Sequence, residues 1–320
     1  MYLKDEKFSL WCDFIERDFL KGDFLTLIKD GKINGATSNP AIFKSAFLNS
    51  SAYKKDRELL SSKSPKEIYE TLAIQDIKEA AKALLPLYKS GDDGFVSIEV
   101  DPFLSEDRDG TIKEGLKLAK AIDMPNLMIK IPATNAGFEA MKVLSNEGLN
   151  INATLVFSLD QTKKCLEALK DAKKTKSVIS IFVSRFDTKL NSILFENSLP
   201  KNRAGIMNAL MHYKEIEAAK LPNIRALFAS TGTKDDSLEL SYYIDELLVP
   251  NSINTAPIAT IKSFMEKDAK LITPASSEVL GEFFNSLKES NIDIEKISNE
   301  LFNEGIDSFN QAFKDILKAF

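Results

Sequence analysis

The chain has 320 residues, of which 44% are hydrophobic, and its 42 basic and 47 acidic side chains give a formal net charge of −5 at pH 7. This length and apolar content suffice for a full core and exclude a disordered chain. The negative net charge argues against a nucleic-acid-binding protein, which needs a concentrated basic surface. We interpret the basic clusters Lys163-Lys164 and Lys173 to Lys176 as a solvated face.

The two cysteines, Cys12 and Cys165, lie far apart in the sequence. This spacing excludes a disulfide scaffold and is typical of a reducing compartment, so we interpret both as free thiols. The first residues lack the apolar core of a targeting peptide, and no uncharged run approaches the roughly 18 residues needed to span a bilayer. We expect a soluble cytoplasmic protein without membrane or nucleic-acid partners, and a homodimer is compatible with the sequence.

Short apolar runs alternate with longer amphipathic stretches along the chain. Eight runs are predicted strands: Phe8 to Cys12, Gly35 to Thr37, Phe95 to Val100, Leu127 to Ile131, Asn152 to Phe157, Val178 to Val183, Arg225 to Ser230 and Ser252 to Thr255. Eight strands separated by helical stretches predict a parallel (β/α)8 barrel. Because no Pro-, Gly- or Ser-rich linker interrupts the pattern, we expect residues 1–320 to form a single domain.

Several predicted helices carry their own start signals. Ser64-Pro65-Lys-Glu67 combines an N-cap, a proline in the first turn and a carboxylate at the third position, and Ser158-Leu-Asp-Gln161 is a second capping box. From Ser276 onward the pattern predicts two helices, broken near Asn291 to Asp293. These helices exceed what an eighth β/α unit needs, so we expect them as additions to the barrel.

The chain contains a single histidine, His212, within a predicted helix from Arg203 to Ala219. A surface or packing role is expected for it. One histidine and two cysteines cannot easily build a transition-metal site, so we expect no metal. No other cofactor is implied.

Lys130 interrupts the apolar run from Asn126 to Thr134. Burying an unpaired ammonium costs several kcal/mol unless the group loses its proton, and the neutral amine is a nucleophile. Many lysines that close a strand instead reach water along their aliphatic stem, so this segment alone leaves both interpretations open.

Other polar residues fall where predicted strands end, which is where (β/α)8 enzymes place their active sites. These strand ends collect Asp13, Asn39, Glu99, Lys130, Asn152, Thr154 and Ser180. Residues two apart share a face of a strand, which groups Ser97 with Glu99, Asn152 with Thr154, Ser180 with Phe182, and Phe228 with Ser230. Each residue alone is compatible with an ordinary cap or turn, but their coincidence across several strands indicates a site.

A lysine among carboxylates, amides and hydroxyls has a specific chemistry available. A neutral amine attacks a ketone, and loss of water gives an iminium that withdraws electrons, so the neighbouring carbon–carbon bond can break without a metal. Glu99 and Asp13 are the candidates for the proton transfers. The amide and hydroxyl side chains would hold the hydroxyls of a ketose.

A phosphate site is predicted beside these residues. Arg185 follows one strand, and Ser230-Thr-Gly-Thr-Lys234 follows the next. A guanidinium, hydroxyls and exposed backbone N–H groups suit a phosphate, although an ordinary strand-to-helix turn has a similar composition.

Five segments of the chain resemble the transaldolase family. They are Gly35-Ala-Thr-Ser-Asn-Pro-Ala-Ile-Phe43, Val96-Ser-Ile-Glu-Val-Asp101, Leu127-Met-Ile-Lys-Ile-Pro-Ala-Thr134, Asn150-Ile-Asn-Ala-Thr154 and Ile179-Ser-Ile-Phe-Val-Ser-Arg185. The first and third are specific in combination, and the resemblance runs over nearly the whole chain. It implies transfer of a dihydroxyacetone unit from sedoheptulose 7-phosphate to glyceraldehyde 3-phosphate in the pentose phosphate pathway.

The resemblance also implies roles for individual residues. Lys130 matches the Schiff-base lysine, Glu99 and Asp13 match the acid/base carboxylates, and Thr154 helps to hold the catalytic water. The residues expected to contact substrate are Asn39, Asn152, Ser180, Phe182, Arg185 and Ser230. Many relatives carry a second arginine shortly after the position of Ser230, and here Lys234 is the expected substitute. Lysine is a point charge rather than a fork, so phosphate geometry would differ.

Two other functions remain open at this stage. A lysine-dependent aldolase would release its dihydroxyacetone unit to water instead of passing it to an aldehyde. A non-catalytic sugar-phosphate-binding protein would need the phosphate contacts but not a reactive lysine, so it would leave the convergence of lysine and carboxylates unexplained.

Overall fold

Residues 2–3, 6–267 and 270–320 are described by the computed structural model, and their strands form one nine-stranded sheet. The strands are β1 (Tyr2–Leu3), β2 (Phe8–Cys12), β3 (Gly35–Ala36), β4 (Phe95–Glu99), β5 (Leu127–Pro132), β6 (Asn150–Val156), β7 (Ser177–Phe182), β8 (Ile224–Ala229) and β9 (Ser252–Ala256). Strands β2 to β9 pair in parallel in chain order, and β9 closes the barrel against β2. The predicted (β/α)8 barrel is confirmed, whereas the short antiparallel β1 was not predicted.

Helices alternate with the barrel strands and surround them. They are α1 (Arg17–Lys21), α2 (Asp23–Lys29), α3 (Pro40–Asn49), α4 (Lys54–Leu59), α5 (Pro65–Lys89), α6 (Arg108–Ile122), α7 (Asn135–Asn146), α8 (Leu159–Leu169), α9 (Ser184–Glu196), α10 (Ala204–Ala218), α11 (Tyr242–Asp245), α12 (Ile258–Met265), α13 (Ser277–Glu289) and α14 (Ile294–Ala319). Short 3-10 helices cover Ser51–Tyr53 and Pro102–Leu104. None of the helices in the described part of the chain is long and apolar enough to cross a bilayer.

The predicted helix signals are confirmed. Ser64 and Ser158 both form capping boxes, with Glu67 and Gln161 as the reciprocal partners. The break between the two C-terminal helices follows from Asn291, whose φ is +58°, and α14 then starts at its N-cap Asp293. Helix α14 packs against α3, α5, α9 and β6, and so lies across one end of the barrel.

Strict alternation divides the barrel interior into two layers. The lower layer is apolar and buried, and consists of Trp11, Phe95, Met128, Val178, Leu227 and Ile253. Two residues further along the same strands, and therefore facing the same way, come Asp13, Ser97, Lys130, Ser180, Ala229 and Thr255. The carboxyl ends of the strands thus carry a mostly polar layer above an apolar one.

The alternation fails at the end of β8. Ser230 was expected to share a face with Phe228, but the ring of Phe228 packs toward Tyr213 of α10, while Ala229 and Ser230 both line the cavity at the barrel mouth. The cause is the backbone of Ser230, whose φ of +56° turns the chain out of the strand. The face predicted for Ser230 was therefore wrong, although its position at the mouth was right.

Cys12 and Cys165 are both free, as predicted, and both are buried. Burial raises the pKa of each thiol, which keeps the unreactive protonated form. His212 is buried in α10, where its Nδ1 lies 2.7 Å from Thr162 Oγ1, and burial lowers its pKa to about 3. Of the two roles expected for His212, packing is the one observed.

Gly35 allows the lower layer to close. A Cβ atom at this position would lie 2.5 Å from Cε2 and Nε1 of the buried Trp11 indole. Because a rigid ring in a packed layer cannot yield, we expect Gly35→Ala to lower the free energy of unfolding by about 1–3 kcal/mol in urea titration. Gly281→Ala on helix α13 is the control, because the added Cβ has no atom within 4 Å. Its free energy of unfolding should rise by about 0.5–1 kcal/mol, since alanine loses less conformational freedom in a helix than glycine does. Equal stability of the two variants would contradict this packing argument.

Candidate active site

Lys130 is buried at the carboxyl end of β5, with only 5% of its surface exposed. Its Nζ donates to the backbone oxygen of Ser38 at 3.0 Å and lies 3.6 Å from Oε2 of Glu99, its register partner on β4. The ring of Phe309 on α14 lies 5.8 Å from Nζ, measured to its centroid. This lysine does not reach into water along its stem, so the alternative interpretation of its position is wrong.

Glu99 is buried beside this amine and is only 4% exposed. Within the described residues, neither of its carboxylate oxygens has a hydrogen-bond partner. Burial raises the pKa of Glu99 to about 7, because the attraction of the Lys130 cation offsets only part of the desolvation penalty and Asp13 adds repulsion. A carboxyl group with such a pKa can both give and take a proton near neutral pH.

Asp13 ends a chain of hydroxyl groups. Thr37 Oγ1 donates to Asp13 Oδ1 at 2.6 Å, and Thr255 Oγ1 lies 2.6 Å from Thr37 Oγ1. Since Thr37 has one hydroxyl proton, Thr255 must be the donor in that second bond. Burial raises the pKa of Asp13, against the lowering effects of the Lys130 cation and the Thr37 hydrogen bond.

A second set of hydrogen bonds crosses the middle of the site. Ser180 Oγ donates to Asn152 Oδ1 at 2.6 Å, and Asn152 Nδ2 donates to Ser97 Oγ at 3.0 Å. These bonds fix the Asn152 amide between β4 and β7. Thr154 lies two residues further along β6 and is fully buried, and its Oγ1 has no hydrogen-bond partner among the described residues.

A cavity of about 140 Å³ opens above Lys130 at the barrel mouth. The predicted residues that line it are Asp13, Asn39, Lys130, Ser180, Phe182, Arg185 and Ser230. Glu99, Asn152 and Thr154 do not line it, but the first two contact residues of the polar layer directly. Lys234 is exposed and does not line the cavity, so the structure does not bring it to the other predicted residues.

Arg185 and Ser230 form one side of this cavity. Arg185 is near the start of α9, its guanidinium carbon lies 5.4 Å from the centroid of the Phe182 ring, and burial lowers its pKa. No carboxylate of the described chain lies within ion-pairing distance of Arg185, so the guanidinium is available to a ligand. Ser230 Oγ lies 3.0 Å from Ser184 Oγ, which keeps the serine hydroxyl beside the start of the helix.

Six cavity residues were not predicted: Thr37, Ala41, Ala229, Thr255, Ser308 and Phe309. A signal existed for the two threonines, because each follows an inward-facing residue by two positions. Ser308 and Phe309 belong to α14, and no local pattern shows that this helix packs over the barrel mouth.

Comparison with known proteins agrees with this geometry. Residues 10–320 match the family model described as Transaldolase/Fructose-6-phosphate aldolase. A transaldolase of Campylobacter jejuni subsp. jejuni is 47% identical, with 98% of this chain and 99% of the relative covered. A transaldolase of Helicobacter pylori strain Shi470 is 43% identical, with 98% of this chain and 100% of the relative covered.

The raised pKa of Glu99 predicts a pH-dependent stability. The ordinary pKa of a glutamate is 4.5, and that of buried Glu99 is about 7. At a pH between these two values, Glu99 has lost its proton in the unfolded chain but keeps it in the folded protein. Folding then binds a proton, so the free energy of unfolding falls as pH rises through this window. In urea titrations from pH 4.5 to just above pH 7, we expect the free energy of unfolding of wild type to fall relative to that of Glu99→Gln.

Glu282→Gln is the matched control, since it makes the same change at an exposed position of α13. Its stability difference from wild type should not change over the same pH range. A pH-independent difference between wild type and Glu99→Gln would contradict the assigned titration.

Proposed function

Because this chain belongs to the transaldolase/fructose-6-phosphate aldolase family, we propose that it transfers a dihydroxyacetone unit from sedoheptulose 7-phosphate to glyceraldehyde 3-phosphate, giving erythrose 4-phosphate and fructose 6-phosphate. The observation that carries the proposal is the burial of Lys130 with its Nζ 3.6 Å from Glu99. This reaction would place the enzyme in the non-oxidative pentose phosphate pathway of the cytoplasm, acting as one domain without a cofactor.

The first step is formation of the Schiff base. Lys130 first gives a proton to Glu99, and the resulting amine attacks the ketose carbonyl carbon. A second proton moves from the nitrogen to the former carbonyl oxygen, which gives a carbinolamine. Glu99 protonates its hydroxyl group, which leaves as water while the nitrogen lone pair completes the iminium. The pKa of about 7 suits Glu99 to this donation and to the reverse step. Thr154 is proposed to hold the water that Glu99 uses, since both side chains have unsatisfied buried oxygens within the described chain.

The second step breaks the carbon–carbon bond. Asp13 takes the proton from the hydroxyl on the carbon beyond the bond, that hydroxyl becomes an aldehyde, and the bonding electrons move toward the iminium to give an enamine. The hydrogen bond from Thr37 keeps one oxygen of Asp13 fixed, which leaves the other free to face the cavity. The enamine then attacks the incoming aldehyde, and the same steps run in reverse.

Binding roles complete the proposal. Asn39, Asn152, Ser180 and Phe182 would contact the dihydroxyacetone portion, which remains attached to Lys130. Arg185 and Ser230 would bind the phosphate, and Lys234, which lies outside the cavity, is the weaker candidate for a second cation. Asn39 Oδ1 caps α3 by accepting from Ile42 N at 3.0 Å, so its amide N–H groups remain for the substrate.

The family description also includes fructose-6-phosphate aldolases, which makes hydrolysis of the iminium the second candidate outcome. The two activities differ in their need for an acceptor. Consumption of fructose 6-phosphate that depends on added erythrose 4-phosphate supports transfer. Consumption at the same rate without an acceptor would replace transferase by aldolase.

Borohydride trapping tests the role of Lys130. Reduction in the presence of fructose 6-phosphate should convert the iminium to a stable amine, and peptide mass mapping should place the adduct on Lys130. Lys130→Met keeps an unbranched side chain of similar length without the nucleophile, so we expect it to fold but to show neither adduct nor activity. An adduct on another lysine, or activity retained in Lys130→Met, would exclude the mechanism.

The two cations proposed to bind the phosphate, Arg185 and Lys234, can be compared directly by mutation. Arg185→Ala removes a half-buried guanidinium from the cavity, and we expect KM for the sugar phosphate to rise about tenfold or more, as for a lost charge-assisted contact. Lys234→Ala removes an exposed amine, and steady-state kinetics should show a smaller rise. An unchanged KM in Lys234→Ala would remove Lys234 from the phosphate site, and an unchanged KM in Arg185→Ala would refute the site itself.

A further inference from the structure

The opposite end of the barrel contains a second cavity of about 460 Å³. It lies at the amino ends of the strands, since its lining includes Lys7 just before β2, Lys176 just before β7 and Arg225 near the start of β8. The lower apolar layer forms its floor through Trp11 and Met128. It is therefore separate from the cavity above Lys130, with which it shares no lining residue.

The charge of this cavity is opposite to that of the whole protein. Four cations line it, Lys7, Lys174, Lys176 and Arg225, against one carboxylate, Asp93. Arg225 is already paired, because its Nη1 lies 2.8 Å from Asp93 Oδ1. The three lysines are exposed and, within the described chain, have no carboxylate within 4.0 Å. A basic basin on a chain of net charge −5 attracts a small anion selectively.

The backbone holds two of these lysines in place around the opening. Lys176 N donates to Asn150 Oδ1 at 2.9 Å, and Lys176 O accepts from Ile151 N at 3.2 Å. On the other side, Lys7 O accepts from Arg225 Nη2 at 2.5 Å. The lysine stems therefore start from fixed points, and only their side chains need to order around a ligand.

One part of the wall is aromatic and consists of Trp11, Tyr88 and Phe95. Tyr88 and Phe95 pack edge to face with ring centroids 5.3 Å apart, and Phe95 lies 6.3 Å from Trp11. Asp93 accepts from Trp11 Nε1 at 3.1 Å, which satisfies the indole and leaves an apolar surface. Aromatic walls of this kind favour a planar ring in a ligand.

We propose that this opening is a binding site for a small organic anion that combines an aromatic ring with a separate group of about three negative charges, as in a nucleoside diphosphate. The ring packs on Tyr88 and Phe95, and the phosphates bind Lys7, Lys174 and Lys176. None of these residues is assigned to catalysis, so binding at this end of the barrel does not depend on the proposed function.

Trp11 provides the readout, because it is the one tryptophan of the chain and lies in the floor of the cavity. Titration of the full-length protein with ADP should change tryptophan fluorescence saturably. The double variant Lys174→Ala/Lys176→Ala should bind about tenfold more weakly. Lys163→Ala/Lys164→Ala is the matched control, since it removes two exposed cations outside the cavity and should bind as wild type does.

Two further measurements test where ADP binds and whether the aromatic residues contribute. Arg185→Ala should bind ADP with wild-type affinity, and loss of the signal in that variant would assign binding to the catalytic cavity and overturn the inference. Pyrophosphate should bind more weakly than ADP, and equal affinity would refute the role of the aromatic wall. If fluorescence showed no saturable response to ADP, or if both double-lysine variants bound ADP equally weakly, this end of the barrel would be a basic surface without a specific binding site.

Discussion

Lys130 and Glu99 lie 3.6 Å apart with both side chains almost completely buried. Charges removed from water are tolerated only where partners replace the lost hydration. Here the Ser38 carbonyl accepts from the amine, while Glu99 has no hydrogen-bonding partner of its own within the described chain and shows a pKa raised to about 7. The imperfect compensation of this pair is what leaves protons easy to move within the site.

The hydroxyl and amide chains around the pair limit the freedom of the other polar groups. Asn152 is held from both sides by Ser180 and Ser97, and Asp13 is held by Thr37. Each bond joins barrel strands or the residues that directly follow them, so the geometry of the site is set by the barrel rather than by mobile loops. Such preorganisation reduces the reorganisation that a reaction would require.

The barrel and the centre of the site could be predicted because both depend on local patterns. Strands of a closed parallel barrel bury both faces, so Lys130 and Glu99 stood out as polar interruptions. Ser230 escaped the alternation since its left-handed backbone cannot be read from a serine, which is not typical of that conformation. Phe309 could not be found because its contact with Lys130 depends on how α14 packs over the barrel.

The apolar layer beneath the polar one separates the two ends of the barrel. Trp11, Met128, Leu227 and Ile253 are each at most 1% exposed, so the interior at this level is a dry partition and not a channel. In the proposed reaction, any water that attacks the iminium on Lys130 would therefore have to arrive through the same barrel mouth as the acceptor aldehyde. Hydrolysis and transfer would then compete for one entrance, and a bound acceptor would exclude water by occupying that entrance.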